Sequence, residues 1–581
     1  MKINKMILGY LIIFNFLVIF ILYNIMFRKG NYYLNLYNEI NNRTIESISA
    51  PRGRILDRLG NILVDNKGIK VIVFNEIKGI SDEEKEDIAL KLSNIIDMNY
   101  DNILKIMNNG YYYQDKIIKK NISDEELTKV NELNLIGIRI DIDYERVYNY
   151  DTCLNDLFGK VGSISKENKD YYLNKGYKLN DSVGISYLEE YYEVYLKGKK
   201  AKYRYLNDNK FEKISEEVRG NDLVLNIDIE KQLYIEKLLK EEIIKTKKYD
   251  SSKYYKGSLI VLSNTNGELI SLVGYNYDNS IFKSNVLSII NNSYTVGSVV
   301  KGASQSVAFI NNAIDPNKKI KDGCIKLYSQ KEKCSWKSLG YLNDISALAN
   351  SSNYYQFINV FNTLGIKYKY NMKFNVTEAD FTLYRDIFSQ YGLGSKSGID
   401  LKNETLGIKG NKVSGDLLLN FSIGQYDTYS PLMLTSYINT ISNNGIRYNL
   451  RLANSVINEK GKKKVINLKQ ELNQVVIEPD DLNRIKKGFY QVVNNGTGKS
   501  YFNKVKAAAK TGTSETFYNG IKTITRSLVS YFPYDTPEYS LSIISPNISI
   551  QNDVNMYSYP INSILSRKIS DFLFENWCYI C

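Results

Sequence analysis

The sequence predicts a mixed α/β and α+β protein carried on a single N-terminal transmembrane helix. Three observations predict it. Residues 6–27 carry no charge and are mostly apolar, a run long enough to cross a bilayer. Residues 30–225 mix short apolar runs with acidic, helix-prone stretches, as an α+β module does. From residue 226 onward a helix and a hairpin are followed by another helix that opens on Ser298, which outlines an α/β catalytic domain.

The anchor comes first. Lys2 and Lys5 precede the apolar run and Arg28 and Lys29 follow it, so the flanking charges give no orientation. No small-residue cleavage site follows, which points to an anchor that is retained. The expected boundaries are 1–29 for the cytoplasmic tip and anchor, 30–225 for the first module and 226–581 for the catalytic domain. Residues 30–48 carry Tyr, Leu and Ile at partly helical spacing and are expected to continue the anchor as a stalk.

Composition narrows the chemistry. The net charge of +13 suits anionic lipid or polymer surfaces. There is no zinc-finger spacing and no dense basic run with interleaved aromatics, so a nucleic-acid partner is not expected. The chain has no histidine, which excludes a Ser-His-Asp triad outright. The five cysteines are Cys153, Cys324, Cys334, Cys578 and Cys581, and the one Cys-x-x-Cys lies at the extreme C-terminus. Without histidine partners they do not read as a zinc site, and neither a metal nor an organic cofactor is expected. Cys324 and Cys334 could pair or stay free; the spacing does not decide.

In the first module, Pro51 and Gly53 punctuate the start of Pro51-Arg52-Gly53-Arg54-Ile55-Leu56-Asp57-Arg58, and Leu59-Gly60-Asn61 reads as a hairpin turn. The charges from Arg52 to Arg58 are expected to form a local ion network that stabilises the module. Ser81 is a candidate N-cap with Glu83 and Glu84 in the first helical turn. After Arg219-Gly220-Asn221-Asp222, residues 223–229 read as a strand. Residues 230–247 read as an amphipathic helix with Leu233, Ile235, Leu238, Leu239 and Ile243 on one side. Residues 257–273 read as a hairpin turning at Asn264-Thr265-Asn266-Gly267.

The candidate chemistry begins at Gly297-Ser298-Val299-Val300-Lys301. Positions i and i+3 of a helix share a face, so Lys301 can present its amine to the Ser298 hydroxyl. A serine nucleophile needs a base, and a lysine with a depressed pKa is the available one. The same spacing at Ser163/Lys166 and Ser280/Lys283 makes the pair unspecific alone. Two further elements follow in order: Ser351-Ser352-Asn353, after a helix-like run over 344–349, and Lys510-Thr511-Gly512-Thr513, which occurs once. Ala507, Ala508 and Ala509 suit a strand packed closely on the serine helix, and Gly512 is expected to leave room for a substrate backbone. Thr516–Asn519 is expected to be a loop before strands at 524–532 and 539–544.

As an ordered set, Ser298-Val299-Val300-Lys301, Ser351-Ser352-Asn353 and Lys510-Thr511-Gly512-Thr513 resemble the active-site motifs of penicillin-recognising serine transpeptidases. The anchor, Pro51–Arg58, Gly184-Ile185-Ser186-Tyr187-Leu188-Glu189 and Ser422-Ile423-Gly424-Gln425 narrow the resemblance to class B, monofunctional penicillin-binding proteins of the penicillin-binding protein 2 and division transpeptidase group. The chain departs from that pattern at Val296 and Val300, where the class carries Pro and Thr, and at Gly340-Tyr341-Leu342, which lacks the familiar histidine.

The resemblance implies an α+β pedestal of the dimerisation type without catalytic groups, then a penicillin-recognising transpeptidase domain with an antiparallel sheet flanked by helices. It implies a peptidoglycan D,D-transpeptidase that cross-links stem peptides through an acyl-enzyme on Ser298 and is inhibited by β-lactams. Lys301 would be the base, Ser351 the proton relay and Asn353 a holder of Lys301 and substrate. Lys510 would make the site electropositive, and Thr511, Gly512 and Thr513 would line the substrate strand. It further implies a single-pass cell-membrane protein with its catalytic domain extracytoplasmic, working beside a SEDS-family glycosyltransferase and other wall-synthesis proteins. The alternatives are a β-lactam-hydrolysing or sensing protein, or a non-catalytic scaffold of a wall-synthesis complex.

Overall fold

The computed structural model describes residues 2–28, 44–76, 80–109, 115–205, 211–316, 318–554 and 559–575. Most of the expected stalk at 30–48, as well as Cys578 and Cys581, lies outside these residues. Where the stalk region is described, Thr44–Glu46 is a strand paired antiparallel with Lys202–Tyr205. A helix spans Lys2–Tyr23 and ends in a π-helical turn, Asn24–Arg28. Its segment Leu8–Met26 has a mean hydropathy of 2.2 and is not buried among the described residues. It is long and apolar enough to cross a membrane.

The first module is built on a mixed sheet. The strand Ile62–Asn75 is flanked by Asp115–Lys120 and Ile138–Tyr148. Gly60 supplies the left-handed turn that folds Ile62 back onto Ile55–Leu56. Ser81 caps its helix in a full capping box with Glu84. Two long-range ion clusters lock the entry. Arg52 reaches Glu189 at 2.6 Å and Glu193 at 2.7 Å, and Arg146 reaches Glu189 at 2.6 Å, with Arg52, Glu189 and Glu193 buried and Arg146 nearly so. Arg54 holds Asp222 at 2.7 Å. The sheet then runs on past residue 225, because Asp222–Leu225 pairs both with Ile55–Leu56 and with Ala453–Ile457.

The second region is built on a six-stranded antiparallel sheet with strand order Ile281–Ser284, Leu269–Asp278, Leu259–Asn264, Tyr539–Ile550, Ile521–Phe532, Ala508–Tyr518. Leu259 to Leu262 are fully buried, as expected for a central strand covered on both faces. The helices Ile229–Thr246 and Ile561–Glu575 pack together along one side, with Tyr234 stacked on Phe572 at 3.8 Å between ring centroids. The helices Lys301–Ile310, Pro431–Ser442 and Pro479–Asn494 belong to the helical layer opposite.

Three local expectations are corrected. Leu233 faces outward; the buried face of its helix uses Gln232, Glu236 and Glu242 beside the aliphatics, because Glu236 accepts from Cys153 and Tyr275. The strand expected over 223–229 ends at Leu225, and Asp228 caps the helix that starts at Ile229. Thr516 to Tyr518 continue the strand, and the chain reverses at Asn519-Gly520, both with positive φ, as a tight two-residue hairpin demands.

Candidate active site

Ser298 lies in a 3₁₀ turn, Gly297–Val300, that runs directly into the helix Lys301–Ile310. In a 3₁₀ turn residues i and i+3 eclipse, so Lys301 sits beneath Ser298 more squarely than an α-turn would place it. The decoys have no such setting: Ser163 ends a strand, and Ser280 is in a turn before the strand that holds Lys283.

Glycine is required at the turn itself. Gly297 has φ +63°, and a Cβ there would lie 2.4 Å from the Thr513 carbonyl oxygen. Gly512 answers from the strand: a Cβ on it would come within 2.3 Å of the Val296 carbonyl oxygen and 2.2 Å of Ser527 Oγ. Gly512 is buried and lets the edge strand press onto the serine turn, which corrects the expectation that it leaves space for substrate. The neighbouring Ala508 and Ala509 are fully buried for the same reason.

Lys301 is fully buried. Its Nζ donates to Asn353 Oδ1 at 2.7 Å, to the Ser351 carbonyl at 2.8 Å, and more distantly to Ser351 Oγ and the Ser352 carbonyl, each at 3.3 Å. No carboxylate touches it among the described residues. Burial pushes its pKa well below the usual lysine value, the neighbouring Lys510 ammonium pushes the same way, and Asp322 opposes them. Lys510, also fully buried, donates to Ser351 Oγ at 3.0 Å and to the Thr511 carbonyl at 2.9 Å, and burial lowers its pKa to about 7. Ser351 thus bridges the two lysines. It does so from a left-handed backbone, φ +56°, a conformation that non-glycine residues rarely hold without a reason.

The expected pairing of Ser298 with Lys301 is not a hydrogen bond in this structure. Lys301 is drawn toward Ser351 and Asn353, while Ser298 is half-buried and its hydroxyl makes no hydrogen bond among the described residues. The set Ser298, Lys301, Ser351, Asn353 and Lys510 is nonetheless gathered at one place, where the serine helix meets the edge strand. Thr511 and Thr513 share one face of that strand, with Thr511 Oγ1 2.8 Å from Thr497 Oγ1.

Several neighbours escaped the sequence reading. Gln425 donates to the Thr513 carbonyl at 3.4 Å, and the Gly424 carbonyl accepts from Gly297 N–H at 2.9 Å. Their signal was present in Ser422–Gln425, which had been read only as a family mark. Cys324 and Cys334 form a disulfide, with Cα atoms 4.2 Å apart. Glu332 lies beside them, but disulfide sulfurs offer no thiolate to a cation. Cys153 is a buried free thiol.

Residues 257–569 match the model of the penicillin binding protein transpeptidase domain, and residues 47–225 match that of the penicillin-binding protein dimerisation domain. The chain is 31% identical to Penicillin-binding protein 2A of Bacillus subtilis (strain 168), over 94% of this chain and 89% of that one. It is 24% identical to the peptidoglycan D,D-transpeptidase MrdA of Escherichia coli (strain K12), over 90% of this chain and 88% of that one. Among solved structures, penicillin-binding protein 2B of Streptococcus pneumoniae (strain 5204) superposes with a TM-score of 0.80 at 24% identity, covering 92% of this chain and 99% of that one.

Proposed function

This chain belongs to the penicillin-binding protein transpeptidase family, and from that premise we propose that it is a membrane-anchored peptidoglycan D,D-transpeptidase acting through an acyl-enzyme on Ser298. The observation that carries the mechanism is the buried Lys301, held by neutral oxygens one 3₁₀ turn from Ser298, whose hydroxyl makes no hydrogen bond among the described residues.

A neutral amine has two N–H bonds and one lone pair. The two short contacts of Lys301, to Asn353 Oδ1 and the Ser351 carbonyl, use both N–H bonds. The lone pair is left to take the proton of Ser298 as its Oγ attacks the carbonyl carbon of the penultimate D-alanine. Backbone N–H groups of Ser298 and Thr513 stabilise the developing oxyanion. The bond to the terminal D-alanine nitrogen breaks, and Ser351 passes the proton from Lys301 to that leaving amine. Lys510, Thr511 and Thr513 hold the substrate's carboxylate end. The amine of a second stem peptide then attacks the ester, Ser298 regains its proton, and a cross-link is formed. A β-lactam follows the first half of this path, with its ring C–N bond opening.

The proposed division is an anchor at 1–29, a non-catalytic pedestal at 30–225 and a transpeptidase domain at 226–581. The catalytic domain is placed outside the cytoplasm, where its substrate lies. A SEDS-family glycosyltransferase is the proposed partner, met through the anchor and the pedestal.

The test uses the full-length chain in detergent with a labelled penicillin, the adduct being located by peptide mass spectrometry. The expected result is a long-lived adduct on Ser298, absent in Ser298→Ala. A short-lived adduct would convert the reading to a hydrolase, and no adduct on folded protein would remove the catalytic assignment.

A further inference from the structure

The turn that carries Ser351 and Asn353 is held from outside by a segment that contributes nothing to the catalytic set itself. Asp322 Oδ1 accepts from Ser352 Oγ at 2.7 Å and from Ser335 Oγ at 2.9 Å. A hydroxyl has one proton to give, and both hydroxyls give theirs to this carboxylate. Their lone pairs are thereby turned toward the start of the helix Asn353–Thr363. Ser352 Oγ accepts from Tyr355 N–H at 3.0 Å, and Ser335 Oγ accepts from Asn353 N–H at 3.1 Å and Tyr354 N–H at 3.3 Å. One carboxylate therefore orders three helix-terminal donors through two hydroxyls.

The same segment fixes the Asn353 side chain. Its Nδ2 donates to the Cys334 carbonyl at 3.3 Å. A carbonyl can only accept, so this contact turns Oδ1 of the same amide toward Lys301. Asp322 and Ser335 are brought side by side because the strands Cys324–Ile325 and Lys333–Cys334 pair directly between them and the disulfide joins Cys324 to Cys334. The hairpin is anchored beyond this as well. Lys333 reaches Asp416 at 3.2 Å, Trp336 Nε1 donates to the Asn350 carbonyl at 2.9 Å, and Asp322 N–H donates to the Gly340 carbonyl at 2.8 Å.

We propose that Asp322 is a positioning residue for serine acylation: through Ser352 and Ser335, on a disulfide-closed hairpin, it holds the turn whose Ser351 and Asn353 orient the Lys301 amine. The inference rests on the acyl-enzyme reading above. It gives Asp322 two separable effects. The first is geometric, since losing the acceptor frees both hydroxyls to rotate and loosens the turn. The second is electrostatic. The charges acting on Lys301 are Lys510, from the edge strand, and Asp322, whose negative charge favours the protonated lysine. Lys333, on the same hairpin, is paired with Asp416.

The experiment measures the second-order rate of labelled-penicillin acylation from pH 6 to 10, on full-length protein in detergent, beside thermal melting. Asp322→Ala is expected to acylate between about 10- and 100-fold more slowly per folded molecule, the scale of a misplaced reacting group. In Asp322→Asn the amide oxygen can still accept from both serines. It is expected to keep the high-pH rate within about threefold, a small part of that loss, and to move the rising limb of the profile to lower pH, because the charge that favoured protonated Lys301 is gone. A role confined to folding would move the melting temperature and leave that limb in place. Cys334→Ser is expected to slow acylation in the same direction as Asp322→Ala. If Asp322→Ala acylates at the wild-type rate, or if Asp322→Asn leaves the limb unmoved, the proposal is overturned. If wild-type protein is itself not labelled on Ser298, the acyl-enzyme reading has failed and this inference falls with it, so the two failures are distinct.

Discussion

Two regions of this protein bury cations, and they treat them oppositely. In the pedestal, Arg52 is enclosed by the carboxylates of Glu189 and Glu193. Burial pulls its pKa down, but the two carboxylates outweigh that and hold it above the ordinary value, so the charge is secured. In the transpeptidase region Lys301 is as deeply buried, yet its close contacts are amide, carbonyl and hydroxyl oxygens. Burial and a second lysine both drive it toward the neutral amine, against only one opposing charge, Asp322. A buried cation with carboxylate partners serves the fold. One without them is primed to exchange a proton, and that distinction is chemical evidence for a site where sequence similarity names only a family.

The comparison breaks if substitution at the two places gives the same kind of loss. Lys301→Met keeps volume and removes the cost of desolvating a buried amine, which offsets the hydrogen bonds lost to Asn353 and Ser351, so the melting temperature should change little. Acylation should fall by about 10²- to 10⁴-fold, the range for a lost general base. Arg52→Met leaves Glu193 buried without its guanidinium and Glu189 with Arg146 alone, at a cost of about 3–5 kcal/mol. Acylation per folded molecule should then be unchanged. Melting curves and labelling rates measured on the same preparations decide it, and a crossed result, with Lys301→Met unfolding or Arg52→Met folded but inert, would dissolve the distinction.

The sequence showed the lysine site better than the arginine cluster. Ser298, Lys301, Ser351, Asn353 and Lys510 were legible because the motifs are short, ordered and jointly specific, and the structure gathers them at one site. The hairpin at Asn264–Gly267 and the cap at Ser81 were legible because turns and caps depend on a few adjacent residues. Asp322 and Ser335 were not, since one Asp and one Ser in an irregular stretch carry no period, and their partner Ser352 is set by tertiary contact alone. The Arg52 partners Glu189 and Glu193 lie in another segment for the same reason, so an ion network could be expected without its members. The roles of Gly512 and Leu233 were misread because a glycine's or leucine's type does not say which side its neighbours occupy.

A smaller effect sharpens the comparison through pH. Burial lowers Lys510 to about 7 in the folded protein, while in the unfolded chain it regains an ordinary lysine pKa. Between these values the unfolded state binds more protons, so stability from this group rises with pH from about 7 upward. Below about 7 both states are protonated and its cost is constant. Lys510→Met should therefore flatten the rise in melting temperature across that window. Arg52→Met should leave the window's slope intact, because a guanidinium stays charged throughout it. Equal slopes in wild type and Lys510→Met would show that the buried lysine is not the titrating group.

The smallest effect is expected at Arg54, which tests whether carboxylate pairing or burial makes the arginines structural. Arg54 holds Asp222 through its own N–H at 2.8 Å and through Nε and Nη2 at 3.1 and 2.7 Å, but its side chain is 28% exposed. Asp222 is buried and has a second cation, Arg219, at 3.2 Å. Removing the Arg54 side chain leaves the carboxylate with that second arginine and with the backbone N–H of residue 54. Arg54→Ala should therefore cost only about 1–2 kcal/mol, near the lower range for hydrogen bonds to a charged group. Adding Arg219→Ala removes the second arginine and should cost more than the two single changes together, because only then does Asp222 lose both of its paired cations among the described residues. A double-mutant cycle by urea unfolding measures that excess. Strict additivity would mean that Asp222 does not need a cation, and that burial, rather than partnering, separates the pedestal's arginines from the lysines of the site.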